Sequence, residues 1–116
     1  MVSGGEMQEM VCGRKRAMKL GYDRYKELYH WARQYRTLKR EERQLIAAAI
    51  RQTLERRFEK GSAEGRAALN AAAVEMKKNI CFGVGIQSID LPYSERQIKR
   101  LRAEIFCRMD ELKRKG

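Results

Sequence analysis

Arg96, Lys99 and Arg100 stand three and four residues apart, with Gln97 between them and Tyr93, Ser94 and Glu95 just before. On a helix, that spacing puts the three cations on neighbouring positions of one side. Arginine and lysine donate to the guanine edge, glutamine pairs with adenine, and serine and tyrosine hydroxyls hold phosphate. Tyr93, Ser94, Glu95, Arg96, Gln97, Lys99 and Arg100 therefore form a candidate DNA-reading surface. Arg14, Lys15 and Arg16 near the N-terminus, and Arg102 further along, are candidate phosphate contacts.

Other chemistries find few residues to use. His30 is the single histidine, so neither a Ser/His/Asp nor a Cys/His constellation is in view. The acid pairs Glu41-Glu42 and Asp110-Glu111 are adjacent in sequence, diverge around a helix, and are expected to be solvated. Cys12, Cys81 and Cys107 include no CxxC pair. That argues against a disulfide framework, for a reducing compartment, and for Cys81 and Cys107 as small core hydrophobes. Gly83-Val84-Gly85 is too short for a nucleotide fingerprint, and no GxxxxGK[ST] is present. The reading is a protein with no catalytic residues, no metal and no cofactor.

Charge points the same way as the candidate surface. The 26 Lys and Arg against 15 Asp and Glu give a net charge of +11 and a pI near 10.0. A chain this basic is drawn to polyanions: nucleic acid first, an acidic protein second, an anionic membrane surface third. No apolar run approaches the roughly 20 residues of a bilayer span. Arg14, Lys15 and Arg16 are not followed by the apolar core of a secretory signal, so a cytoplasmic location is expected. With 116 residues there is room for one domain.

The elements that must position these residues are helical. One proline and many Ala, Leu, Glu, Lys and Arg residues favour helix throughout. Residues 1–20 read as a flexible basic arm, and 21–116 as a single helical domain. A first helix is expected from Asp23 as N-cap, with Tyr25, Leu28, Tyr29, Ala32 and Tyr35 at helical spacing. That aromatic stripe is read as core, with a base-stacking surface as the lesser option. A second helix is expected over 41–60, stopped by Gly61. A third is expected over 63–79 behind a Ser62 cap, with Ala67, Ala68, Ala71, Ala72 and Ala73 as a narrow packing face and Leu69, Val74 and Met76 supplying bulk. Asn79 and then Gly83 and Gly85 break its pattern. Residues 86–91 suggest a short helix, Pro92-Tyr93 a turn, and Ser94 with Gln97 a capping box. A long helix to about Lys113 follows, buried through Ile98, Leu101, Ile105 and Leu112.

A short helix, a tight turn and a capped basic helix together have the layout of a helix-turn-helix, here over 84–113. The stretch SERQIKRLRAEIFCRMDEL resembles the second half of that element in region 4 of sigma factors. The whole chain more loosely resembles small prophage regulators of the RinA/ArpU type, through YDRYKELYHWARQY and IDLPYSERQ. The resemblance implies a bacterial or phage DNA-binding regulator. It departs from the pattern at Pro92, where a glycine is usual, and at Gln87, where an apolar residue is expected.

The expected architecture is thus all-α, a compact bundle of four to five helices with a C-terminal helix-turn-helix-like element. The expected function is a sequence-specific, duplex-DNA-binding transcriptional regulator of phage or prophage origin, its last helix in the major groove. Such readers often dimerise on two half-sites, so a homodimer is among the expected partners. The alternative is a small non-enzymatic inhibitor or adaptor from a mobile element, such as an anti-CRISPR, bound to an acidic protein or ribonucleoprotein. RNA binding through the aromatic and basic residues of 22–36 ranks third.

Overall fold

The structure is a computed structural model that describes residues 10–11, 19–58 and 61–115. The fold is all-α, and among the described residues it has four α-helices: α1 (Tyr22–Arg33), α2 (Arg40–Glu55), α3 (Ala63–Phe82) and α4 (Glu95–Lys115). Two-residue strands, β1 (Met10–Val11) and β2 (Lys19–Leu20), pair antiparallel ahead of them, Met10 opposite Leu20. The candidate phosphate contacts Arg14, Lys15 and Arg16 lie outside the described residues. Leu20, which the sequence places at the end of the arm, is buried in the core.

Helix boundaries follow local chemistry. Helix α1 starts behind Gly21, whose carbonyl accepts the first helical bond from the Tyr25 N–H at 2.9 Å. Asp23, the expected cap, sits inside the first turn, where its charge suits the positive helix end. Ser62 caps α3 by accepting from the Gly65 N–H at 2.9 Å. Helix α3 runs past Asn79 to Phe82, because Asn79 turns inward and donates to the Val84 carbonyl at 2.8 Å. The stop is Gly83, at φ 74°, where the chain reverses and the Val84 N–H bonds back to the Lys78 carbonyl at 3.0 Å. The Arg33 guanidinium lies over Gly83, 2.5 Å from where a Cβ would stand.

One core joins all four helices. Ile46, Ala49, Ile50 and Leu54 of α2 meet Ile98, Leu101, Ile105 and Met109 of α4, and Leu69, Ala72, Met76 and Ile80 of α3 close the other side. Each fully buried aliphatic or aromatic side chain contributes roughly 1.5–3 kcal/mol. The expected packing face of α3 is half right. Leu69, Ala72 and Met76 are buried and Ala73 lies against the core, whereas Ala67, Ala68, Ala71 and Val74 are exposed, because the larger Leu69, Met76 and Ile80 gain more by burial.

Helix α4 is buried on two sides in its C-terminal half. Its first stripe meets α2. Phe106, Cys107 and Asp110 form a second stripe, under α1 and β1. Tyr25 stacks edge-on against Phe106 with ring centres 5.1 Å apart. The expectation of a solvated Asp110 is therefore corrected. Asp110 is 2% exposed and takes ion pairs from Arg24 Nε at 2.6 Å and Arg114 at 3.0 Å. Cys81 and Cys107 are buried in the core as expected, but the argument against disulfides is corrected: Cys107 is disulfide-bonded, while Cys81 is a free thiol.

Candidate nucleic-acid interface

Covering the C-terminal half of α4 leaves the outer side of its first turns open. Ser94 caps the helix. Its Oγ accepts from the Gln97 N–H at 3.2 Å, and Gln97 Oε1 accepts from the Ser94 N–H at 2.8 Å. This reciprocal box is the one the sequence announces, and it commits Gln97, expected as an adenine reader, to the helix end. Ile98 and Leu101 point into the core, which turns Arg96, Lys99 and Arg100 outward.

Arg96, Lys99 and Arg100 are exposed, and none has an ion pair, hydrogen bond or ring contact with a described residue. Two acids of α4 lie a helical turn from them: Glu104 is occupied by Arg57 of the turn after α2, at 3.0 and 3.2 Å, and Glu95, four residues before Lys99, makes no ion pair with it among the described residues. Glu95 is exposed in the first turn. Much of the remaining positive charge is absorbed elsewhere. Arg24 pairs with Asp110 and Glu27, Lys78 with Glu75, and Arg108 with Glu111 and Gln52. Lys77 lies over the Tyr35 ring and Lys113 over Trp31. Other exposed cations without such contacts, Arg40, Arg56 and Arg66 among them, stand on α2, the turn after it and α3.

Two candidates leave the surface. Arg102 is held among Tyr25, Tyr29 and Phe106, 5.2–5.9 Å from their ring centres, and donates to the Tyr25 hydroxyl at 2.8 Å. Its Nε is buried, so Arg102 fastens α1 to α4 and is not available as a phosphate contact. Tyr93 is half-buried against the core, supporting the turn before the helix. The aromatic stripe of α1 packs likewise: Tyr25, Tyr29, Trp31 and Tyr35 all lie against the core.

The approach to α4 differs from the expected motif. Residues 86–91 form a single 3-10 turn, Ile86–Ser88, and then extended chain. Twelve residues separate α3 from α4, where a helix-turn-helix has three or four. Pro92 and the extended backbone before it remove the first helix of the motif. In its place, Glu75 of α3 holds the loop: its carboxylate accepts from the Asp90 N–H at 3.0 Å and from Lys78 at 3.0 Å. Those bonds hold the Glu75 carboxyl below its usual value, the backbone bond most strongly. Sequence reasoning missed this strap and the Arg57–Glu104 pair, since both join residues far apart in the chain. The Asp110–Arg114 pair carried a local signal, a spacing of four on a helix.

Among the described residues no three His, Cys, Asp or Glu side chains gather as a metal site would require, and no helix is long and apolar enough to cross a membrane. Comparison with protein-family models, with curated proteins and with solved structures finds no match.

Proposed function

We propose that this protein binds duplex DNA through the N-terminal half of α4 and acts as a non-enzymatic transcriptional regulator. The observation that carries the reading is the cluster of Arg96, Lys99 and Arg100, exposed on one helix face with no partner among the described residues. Uncompensated cations on a rigid helix suit a polyanion, and a single α-helix fits the major groove. The resemblance to prophage regulators and to sigma-factor region 4 supports the same reading, with a phage or prophage origin and a place in the cytoplasm. The Glu75–Asp90 strap holds the loop before α4 to α3, and the core contacts of Ile98 and Leu101 hold the start of α4 in place.

Fluorescence anisotropy on a randomised duplex pool, at low and near-physiological salt with the bound fraction sequenced, tests the reading. Tight binding with an enriched motif supports it. Weak binding that vanishes with salt and enriches nothing means charge alone.

A second reading is favoured by one observation, the absence of the first helix of the motif. Without it, the same cations could dock on an acidic protein or ribonucleoprotein, as an inhibitor or adaptor from a mobile element would. Failure of the duplex experiment transfers the weight to that reading.

A further inference from the structure

We infer that the open face of α4 selects G·C-rich DNA, with Arg96 and Arg100 each reading one guanine and Gln97 reading no base. This rests on the duplex-DNA reading above and deepens it.

The polar groups that remain free on the outer face decide which bases it can read. To read adenine, a glutamine must present both its amide oxygen and its amide nitrogen to N7 and N6. The Gln97 oxygen is already held by the Ser94 N–H at 2.8 Å. Withdrawing it would undo a capping box that fastens the start of the helix. The Ser94 hydroxyl is spent on the other half of that box, at 3.2 Å. The free donors on the outer face are Arg96, Lys99 and Arg100. A guanidinium is a planar fork that matches the N7 and O6 acceptors of guanine with two bonds, whereas the lysine ammonium acts as a point charge suited to phosphate. Glu95, exposed one residue before Arg96, is an acceptor whose base partner is the cytosine amino group, the other half of the same base pair.

Spacing sets the site. Arg96 and Arg100 are four residues apart, about 6 Å along the helix axis, or about two base-pair steps of roughly 3.4 Å. The recognised site therefore carries two guanines about two steps apart.

The full chain is bound to a randomised duplex pool, the enriched sites are sequenced, and the best duplex is remade with 7-deazaguanine, which pairs normally but lacks N7. The expected result is a guanine pair at that spacing and a loss of roughly 2- to 12-fold for each replaced guanine, since 7-deazaguanine removes one of the two bonds and keeps O6. Arg96→Ala, a change at an exposed position that removes both donors, should erase the preference at one guanine and leave the other. Enriched sites without such guanines, or binding indifferent to 7-deazaguanine, would overturn the guanine assignment while duplex binding stood. No binding to any duplex would overturn the assignment and the DNA reading together.

Discussion

Replacing Asp110 with asparagine should destabilise the protein far more than a change of one atom suggests. Asp110 is 2% exposed and receives Arg24 Nε at 2.6 Å, which ties the last helix to the first, and Arg114 at 3.0 Å within α4. Asparagine keeps one acceptor oxygen and turns an NH2 group toward the other guanidinium. A charge-assisted hydrogen bond contributes roughly 1.5–3 kcal/mol. Arg24 is 30% exposed and Arg114 61%, so both guanidinia regain water on losing the carboxylate, and solvent screening reduces the loss. We expect about 1.5 kcal/mol from the Arg24 bond and about 0.5 kcal/mol from the surface pair with Arg114. The sum, about 2 kcal/mol, lowers Tm by about 8 °C in a domain of this size. Urea titration with thermal melts on Asp110→Asn, Arg24→Gln and the double variant measures the coupling, expected at about 1–2 kcal/mol. A loss under about 0.5 kcal/mol for Asp110→Asn, or a coupling near zero, would refute the claim that this pair fastens α1 to α4.

Two further outcomes follow from local contacts. Ser94→Ala removes the hydroxyl that accepts from the Gln97 N–H and should cost about 1 kcal/mol in chemical denaturation; an unchanged midpoint would mean the cap contributes nothing. Glu75 has its carboxyl held below the ordinary value of 4.5, chiefly by the Asp90 N–H and then by Lys78. Its contribution is therefore present above pH 4.5 and fades as pH falls through the lower folded value. Glu75→Gln should be less stable than the parent at neutral pH, and the gap should close on acidification. A gap that stays constant or widens toward acid would contradict the strap.

What the sequence disclosed was mostly local. The Ser94–Gln97 box, the Ser62 cap and the buried stripe of Ile98, Leu101 and Ile105 each depend on residues within a turn or two, and all three stand in the structure. Long-range packing decided the rest. On α3 the expected Leu69, Ala72 and Met76 went inside, but Ala67, Ala68, Ala71 and Val74 of the same expected face stayed out, because small side chains at helical spacing do not tell which side of the helix its neighbours cover. Asp110 looked solvated because nothing near it in sequence shows that α1 and β1 cover that side of α4. At the candidate site, Arg96, Lys99 and Arg100 were legible as an outer face. The diversion of Arg102 into the Tyr25–Tyr29–Phe106 cluster was not, since its aromatic partners on α1 lie more than 70 residues away. The short helix expected over 86–91 gave way because Pro92 and the Glu75 strap favour extended chain.

In the proposed DNA-binding role, position and not net charge alone makes α4 the binding face. Two triple variants with the same loss of charge separate these directly: Arg96→Ala/Lys99→Ala/Arg100→Ala on α4, and Arg40→Ala/Arg56→Ala/Arg66→Ala on exposed sites elsewhere. Anisotropy on the enriched duplex at near-physiological salt should show a loss of about 100-fold or more for the first, from three contacts of about 1 kcal/mol or more each. The second should lose less than about fivefold, as expected for a general electrostatic effect. Equal losses in the two variants, or none in the first, would contradict the account.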